Sequence, residues 1–289
     1  MAATNQRAKF RLQLRSRTLL LGERTLIMGV LNVTPDSFSD GGRFLKPDAA
    51  VARAMEIERE RADILDIGAE STRPGAKPLS ADEELRRILP VLKVLRGKLK
   101  IPISIDTQKT EVAQAAISLG AEIVNDISAL RFDESMARVV ARSKSGVILM
   151  HMRGEPRTMQ KGPFARDVMR DVTKGLTDAL RRAKLAGIGR SRLLLDPGIG
   201  FGKNYNQNFE ILARLPELAR LGCPIVVGSS RKAFIGATLD GAPADQREWG
   251  TAASVAASIL GGAHIVRVHD VKEMAQVAQL TDRIAAARH

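Results

Sequence analysis

Eight short apolar runs alternate with helix-like stretches along the chain, and nearly every run ends on a polar or charged residue. Continuous apolar runs of this length are typical of buried parallel strands. The runs cover residues 25–32, 64–70, 101–107, 123–126, 146–151, 193–196, 224–230 and 264–269. Polar residues at the ends of consecutive parallel strands converge on one rim of a barrel, where the chemistry of such barrels takes place.

The strand–helix alternation favours one large barrel. Eight alternations within 289 residues suit an α/β fold of the (β/α)8 TIM-barrel type, which typically takes about 250 residues. A doubly wound open sheet is the alternative, but it would leave some polar strand ends far from a common site. Residues 9–21 alternate with period two, which predicts a β-hairpin that covers the barrel floor. We therefore predict a hairpin extension over residues 1–24 and one barrel domain over residues 25–289.

Local signals predict where helices begin and end. Ser80 followed by Glu83 matches a capping box, and Asp270 with Glu273 repeats the pattern before the last helix. Gly120 is placed to end the helix that follows the third run.

Composition narrows the range of partners. The 45 basic and 32 acidic residues give a net charge of +13, which suits nucleic acid, a membrane surface or an anionic small substrate. Aromatic residues make up only 3% of the chain, so stacking platforms for single-stranded nucleic acid are scarce. No apolar run approaches the roughly 20 residues that span a bilayer. We expect neither a nucleic acid nor a membrane partner, and the single cysteine, Cys223, favours a cytoplasmic location. A basic nucleic-acid-binding protein stays the alternative of a different class, and it would show steep salt dependence in a gel shift.

Two loops after the first strands are rich in polar residues, Gly and Pro. Asn32 stands at the tip of the first strand, where an amide oxygen together with substrate phosphates suits Mg²⁺; a plain turn with Asx hydrogen bonds is the alternative. Arg73 lies in the Pro-Gly loop after the second strand. Arg73 could belong to a mobile cationic lid over an anionic site, and a simple solvent-exposed arginine is the alternative.

Acids and amides lie in or beside later apolar runs. Asp106, Asn125 and Asp196 need partners if they are buried, and a heterocycle edge with ring N–H and exocyclic NH₂ groups would supply them. Capping of the following helices is the alternative for any single aspartate. With only four histidines and no metal-binding cluster, a zinc site is not expected.

The last strands predict an anion site. Arg267 and His269 alternate with Val268, so their side chains share one face and form a candidate diphosphate clamp. In barrels, phosphate commonly sits beside the loops after the seventh and eighth strands. The glycine-rich segment 198–203 fails the spacing of both the P-loop and the dinucleotide motif, and we interpret it as a tight loop that presents Phe201.

These motifs, in this order, resemble the dihydropteroate synthase family over about residues 25–285. The resemblance implies a transferase that joins p-aminobenzoate to 6-hydroxymethyl-7,8-dihydropterin diphosphate in folate biosynthesis, with Mg²⁺ as cofactor and a dissociative substitution. The motifs are Asn32-Val33-Thr34-Pro35-Asp36-Ser37-Phe38-Ser39-Asp40-Gly41-Gly42, Glu70-Ser71-Thr72-Arg73-Pro74-Gly75, Asp106-Thr107, Asn125-Asp126, His151-Met152-Arg153-Gly154, Asp196-Pro197-Gly198, Ser230-Arg231-Lys232 and Arg267-Val268-His269-Asp270.

The resemblance also implies site residues. Catalytic roles fall to Asp36, Arg73 and Lys232, and Asn32 is the Mg²⁺ ligand. The residues assigned to substrate binding are Thr72, Asp106, Asn125, Asp196, Phe201, Lys232, Arg267 and His269. Relatives are usually homodimers and sulfonamide targets, and a helix near residues 252–260 is a candidate interface.

Two points set this chain apart or leave an alternative open. Position 233, where many relatives carry Ser, is Ala233, so a side-chain hydroxyl contact to the benzoate carboxylate is absent. A pterin-binding methyltransferase shares the barrel and the acids, but it has no reason to keep Lys232, Arg267 or His269.

Overall fold

Eight parallel strands close into a barrel, as the apolar runs predict. The computed structural model describes residues 7–34, 47–70 and 78–287. The barrel strands are β3 (Leu26–Asn32), β4 (Ile64–Gly68), β5 (Ile103–Asp106), β6 (Ile123–Asp126), β7 (Gly146–Met150), β8 (Leu193–Asp196), β9 (Val226–Val227) and β10 (Ile265–Val268). They pair in parallel in the order β8-β7-β6-β5-β4-β3-β10-β9, and a parallel bridge between Leu195 and Ile225 joins the two ends. The TIM-barrel prediction is confirmed.

Helices alternate with the strands around the outside. In the described ranges they are α1 (Pro47–Arg59), α2 (Ala81–Leu95), α3 (Thr110–Ser118), α4 (Met136–Ser143), α5 (Val168–Leu185), α6 (Tyr205–Ala213), α7 (Ala233–Thr238), α8 (Glu248–Leu260) and α9 (Val271–Ala286), with 3₁₀ turns at Arg190–Arg192, Leu215–Leu221 and Ala244–Gln246. None of these helices has the length and apolarity needed to cross a membrane.

Of the three predicted helix ends, two agree with the structure and one does not. Ser80 Oγ accepts a hydrogen bond from the Glu83 backbone N–H at 3.2 Å, as a capping residue should. Gly120 follows α3 with φ of +108°. The expectation for Asp270 is wrong: its side chain makes no cap hydrogen bond to α9 and pairs instead with Arg231.

The predicted hairpin closes one end of the barrel. Strands β1 (Phe10–Gln13) and β2 (Thr18–Leu21) pair antiparallel. Their buried side chains Leu12, Leu14 and Leu21 form one apolar cluster with inward residues of the barrel strands. A Cβ on Gly146 would lie 2.8 Å from Leu14 Cδ2, so the hairpin packs directly on the strand ends. The candidate site lies at the opposite end of the barrel, where the strands have their carboxyl ends. The boundary between residues 24 and 25 stays a prediction.

The barrel interior changes from apolar to polar along the strands. Ile64 belongs to the apolar floor, and Asp66, two residues later on the same face of β4, is fully buried. Register then brings polar positions side by side, because Asp66 pairs with Ser104 and Asp106 pairs with Asn125. The carboxyl end of the barrel therefore has a polar lining above a dry floor.

Candidate active site at the carboxyl end of the barrel

Arg267 lies at the centre of the polar end. Its Nε donates to Asp66 Oδ2 at 2.6 Å, and its Nη2 donates to Asp106 Oδ2 at 2.8 Å. Burial alone would lower the pKa of Arg267, but Asp66 and Asp106 outweigh burial and raise it. Arg267 thus joins strands β4, β5 and β10 across the barrel.

Asp106 is poised between two protonation states. Burial raises its pKa to about 7, with Arg267 acting against the rise and Asp66 adding to it. A carboxyl group that titrates near neutral pH donates a hydrogen bond when protonated and accepts when ionised. Asp106 can therefore face either a ring nitrogen or a ring N–H.

The other predicted polar residues divide into pocket and turn groups. The Asn125 Nδ2 donates to Asp66 Oδ2 at 3.1 Å, inside the barrel. Asp196 Oδ1 accepts from the Gly198 backbone N–H at 2.6 Å, and burial raises the pKa of this carboxyl. Asp126, next to Asn125, accepts from the backbone N–H groups of Ser128 and Leu130, so it stabilises the turn after β6.

The glycine-rich segment after β8 is the tight loop that the sequence predicts. Gly198 and Gly202 have φ of +69° and +67°, in the region that favours glycine. A Cβ at Gly198 would lie 2.0 Å from the His151 carbonyl oxygen, and one at Gly202 would lie 2.4 Å from that of Arg153. The loop therefore packs backbone to backbone against the segment after β7.

This loop brings Phe201 and Lys232 together. Phe201 is buried among Ile127, Met150, Met152 and Met159. Lys232 Nζ lies 4.2 Å from the centre of the Phe201 ring, within the range of a cation–π interaction. The charge of Lys232 also lowers the pKa values of Asp106 and Asp196, although burial dominates both. An aromatic face and a cation thus stand beside the acids.

His269 and the loop after β9 form the neighbouring corner. Ser230 Oγ lies 3.0 Å from His269 Nδ1 and also accepts from the His269 backbone N–H at 3.3 Å. When the hydroxyl donates its hydrogen to Nδ1, the imidazole proton stands on Nε2. Burial lowers the pKa of His269 to about 3, helped by Arg267 and Arg231. The ring is therefore a neutral N–H donor at physiological pH.

Some predicted residues stand apart from this group. Asn32 ends β3 and is partly exposed at the same rim. Asp36, Thr72 and Arg73 lie outside the described residues. Among the described residues, no group of three His, Cys, Asp or Glu side chains is placed to hold a metal ion.

Comparison with known proteins gives the family. A family model described as "Pterin binding enzyme" matches residues 28–269. The dihydropteroate synthase of Synechocystis is 47% identical over 263 residues, which cover 91% of each protein. The solved dihydropteroate synthase of Xanthomonas albilineans with 4-aminobenzoic acid superposes with a TM-score of 0.89 at 41% identity, covering 96% of this chain and 99% of that one. The same enzyme in complex with 7,8-dihydropteroate gives 0.85 at 39% identity over the same shares of the two chains.

The chain belongs to the pterin-binding enzymes, as a member of the dihydropteroate synthase family. It is a transferase of folate synthesis, and the resemblance read from the motifs is confirmed.

The structure also reveals two buried charged residues near the site that the sequence analysis missed. Asp66 is one, and its signal was a carboxylate between apolar residues in the middle of a strand. Lys203 is the other, at the end of the glycine-rich loop. Its Nζ donates to the carbonyl oxygens of Phe201 at 3.0 Å and His151 at 3.2 Å, and it lies 3.0 Å from His151 Nδ1.

Burial affects Lys203 and its histidine neighbour alike. It lowers the pKa of Lys203 to about 7 and that of His151 to about 4. His151 Nε2 in turn lies 3.4 Å from Asp171 Oδ2 on α5. Lys203 thus fixes the loop of Phe201 to the end of β7.

Proposed function

We propose that the chain condenses 6-hydroxymethyl-7,8-dihydropterin diphosphate with p-aminobenzoate to give 7,8-dihydropteroate and diphosphate. The observation that carries this proposal is the group of acids and amide around Arg267, next to the Phe201–Lys232 pair. Family membership supports the reaction, and the polar end of the barrel is where such folds do their chemistry.

The pterin edge is matched by hydrogen-bond acceptors. A pterin presents a ring N–H and an exocyclic NH₂ group side by side, which a carboxylate accepts as a fork. Asp196 is the residue we assign to that edge, with Asn125 and Asp106 on the neighbouring nitrogens. Lys232 donates toward the carbonyl oxygen on the far side of the ring. Arg267 binds Asp66 and Asp106 through Nε and Nη2, so only Nη1 of its guanidinium lies outside those two bonds.

The p-aminobenzoate slot lies on the Phe201 side. The flat aromatic face of Phe201 and the positive charge of Lys232 suit a small aromatic acid. The Xanthomonas albilineans relative holds 4-aminobenzoic acid, and a Yersinia pestis relative holds a sulfonamide drug, which supports the same slot as a sulfonamide site here. Ala233 supplies no hydroxyl for the carboxylate, so we assign recognition of the carboxylate to the backbone near Ser230 and Lys232.

The diphosphate lies at the His269 corner. A neutral His269 donates from Nε2, and Arg267 Nη1 adds charge to the same clamp. The donor set also fits Mg²⁺, since this ion is usually held by one or two protein oxygens together with substrate phosphates, and Asn32 offers such an oxygen at the rim. When bound, Mg²⁺ would neutralise charge on the leaving diphosphate.

We propose a dissociative substitution. The bond between the pterin methylene carbon and the diphosphate oxygen breaks first, and its electron pair leaves with diphosphate. The amine nitrogen of p-aminobenzoate then bonds to the methylene carbon and loses a proton. The residues around the site hold the two partners in line and need form no covalent intermediate. Asp36, matched in charge to the cationic pterin, and Thr72 and Arg73 complete the site in this proposal.

We further propose a homodimer. Trp249 is 81% exposed, and three more exposed side chains lie on or directly after the neighbouring helices α6 and α7: Tyr205, Phe209 and Leu239. Ala253 and Ala257 continue the face of Trp249 along α8, within the helix that the sequence suggested. Light scattering after gel filtration should give a dimer for the native chain and a monomer for Trp249→Glu. A native monomer would refute this part. The buried, unpaired Cys223 favours a cytoplasmic location.

The reaction is tested by a coupled assay for diphosphate release. We expect release that requires both the pterin diphosphate and p-aminobenzoate and that falls strongly when Mg²⁺ is chelated. Release that ignores p-aminobenzoate would contradict the condensation. A methyltransferase would instead transfer a methyl group from methyltetrahydrofolate without releasing diphosphate.

A further inference from the structure

Asp66 is a fully buried carboxylate that holds two pocket residues at once. Its exposed fraction is 0%, and its Oδ2 accepts both from Arg267 Nε at 2.6 Å and from Asn125 Nδ2 at 3.1 Å. These partners come from β10 and β6, whereas Asp66 is in the middle of β4. It lies below the rim residues, so it acts on a ligand through its partners rather than by contact.

The bond to Asn125 has a direction. An ionised carboxylate only accepts hydrogen bonds, whereas an amide side chain has a donating NH₂ end and an accepting oxygen. Arg267 Nε donates to the same Oδ2 as the second donor of an ion pair, so this oxygen accepts from both neighbours. Asp66 can therefore bind only the Nδ2 end of Asn125, and the amide cannot turn over without losing this bond. The accepting Oδ1 is then the end directed away from Asp66.

The buried carboxylate of Asp66 does not favour the stability of the fold. Its Oδ1 is buried with no hydrogen-bond partner in the described part of the chain. A buried charge that is only partly satisfied generally lowers stability relative to a neutral group that packs equally well. Retaining such a group beside a binding pocket indicates a role in function, where stability is often exchanged for a fixed site geometry.

We infer that Asp66 is a positioning residue that sets the polarity of the pterin pocket, by fixing Asn125 with its oxygen available to ligand and by holding Arg267 across the barrel. Asn125 then joins Asp106 and Asp196 in presenting acceptors. The pocket selects heterocycles that offer N–H donors, and it rejects those that offer oxygen at the same place. This inference rests on the proposed function, since it takes the ligand to be a pterin.

The test compares two ligands that differ along one edge of the ring. 6-Hydroxymethylpterin carries a 2-amino group beside an accepting N1, whereas 6-hydroxymethyllumazine carries an oxygen there beside an N1–H. Calorimetry on the native protein should favour the pterin by at least about 100-fold, because a site built for a donor rejects an acceptor strongly. In Asp66→Asn, the amide that replaces the carboxylate lets Asn125 turn over, and the preference should shrink about tenfold.

Two further variants separate positioning from structure. The double variant Asp66→Asn with Asn125→Asp restores a donor–acceptor pair with reversed direction and keeps an acceptor toward the ligand. Its preference should return to within about threefold of the native value, as expected for a coupled pair. Ser104→Ala, at the position paired with Asp66 on β5, is the matched control and should leave the preference unchanged. Should Asp66→Asn fail to fold, the double variant and the control still give the test.

The outcomes are distinct. An unchanged preference in folded Asp66→Asn, an equal loss of both ligands, or a double variant that fails to recover would each overturn the role of Asp66. A native protein that binds neither heterocycle would instead overturn the proposed function.

Discussion

Arg231 and Asp270 form a two-pronged ion pair that joins the loop after β9 to the loop after β10. Arg231 Nε donates to Asp270 Oδ2 at 3.0 Å, and Nη2 binds the other carboxylate oxygen. Arg231 adopts φ of +59°, an uncommon conformation for a residue with a side chain. The pair holds Ser230 against His269, so it shapes the corner that we assign to diphosphate.

Asp270→Asn should therefore weaken diphosphate recognition selectively. Losing the charge loosens Arg231 and, with it, the Ser230–His269 contact. We expect the Kd for the pterin diphosphate to rise about tenfold, equivalent to about 1.4 kcal/mol. The Kd for 6-hydroxymethylpterin, which has no diphosphate, should change less than about twofold. Arg214→Gln removes two half-exposed ion pairs, with Glu210 and Glu217, just after α6 and should change neither value. Equal weakening of both ligands would show that the pair does not act on the diphosphate corner.

The three described histidines should all be neutral in the free enzyme. Burial lowers the pKa values of His151 and His264 to about 4 and that of His269 to about 3. Their NMR signals should stay constant between pH 5.5 and 8. A His269 signal that moves near pH 6.5, assigned with His269→Gln, would contradict the neutral donor.

The sign of the pH dependence of stability follows from these pKa values. Unfolded histidine binds protons below about pH 6.5 while the folded rings stay neutral, so these residues lower stability as pH falls from about 6.5 to 4. Asp106 acts in the opposite direction, because its folded pKa of about 7 lies above the unfolded value near 4. The contribution of Asp106 to the free energy of unfolding therefore falls as the pH rises from about 4 to 7.

Asp106→Asn should remove the contribution of Asp106 to the pH dependence of stability. The free energy of unfolding of the native protein, relative to that of the variant, should decrease as pH rises from about 4 to 7, by at most about 1.4 kcal/mol per pH unit. Urea unfolding across this range measures the difference. A difference that is constant with pH would mean that Asp106 is ionised throughout.

Lys203→Met should weaken the binding of p-aminobenzoate. The variant leaves the buried carbonyl groups of His151 and Phe201 without their donor, at a cost of roughly 1 to 3 kcal/mol for each unsatisfied group. Because Phe201 loses its anchor, the KM for p-aminobenzoate should rise about fivefold or more, with the KM for the pterin diphosphate nearly unchanged. Lys184→Met, on the exposed end of α5, is the control. A stability loss with no change in either KM would give Lys203 a purely structural role.

The sequence predicted which polar residues gather at the carboxyl end of the barrel where the signal is local. Asp106, Asn125 and Asp196 stand at or near strand ends, and the hairpin shows its own alternation, so position along the chain was enough. Asp66 and Lys203 were missed because their partners lie far away in sequence: Asp66 binds Arg267 across 201 positions. Asp270 was misread for the same reason, since the pattern of a cap is local but its true partner, Arg231, is 39 residues away.

The central claim is that the acids at the carboxyl end of the barrel bind the pterin edge, and Asp196→Asn tests it most directly. This change keeps an acceptor for the Gly198 N–H but replaces the other oxygen with a donor. Calorimetry should show pterin diphosphate binding weakened by about 100-fold or more, roughly 3 kcal/mol, in a protein that still unfolds cooperatively. Asp126→Asn, which alters a buried carboxylate that accepts from the turn at Ser128 and Leu130, should leave the Kd within about threefold. Native-like affinity in folded Asp196→Asn would contradict the claim.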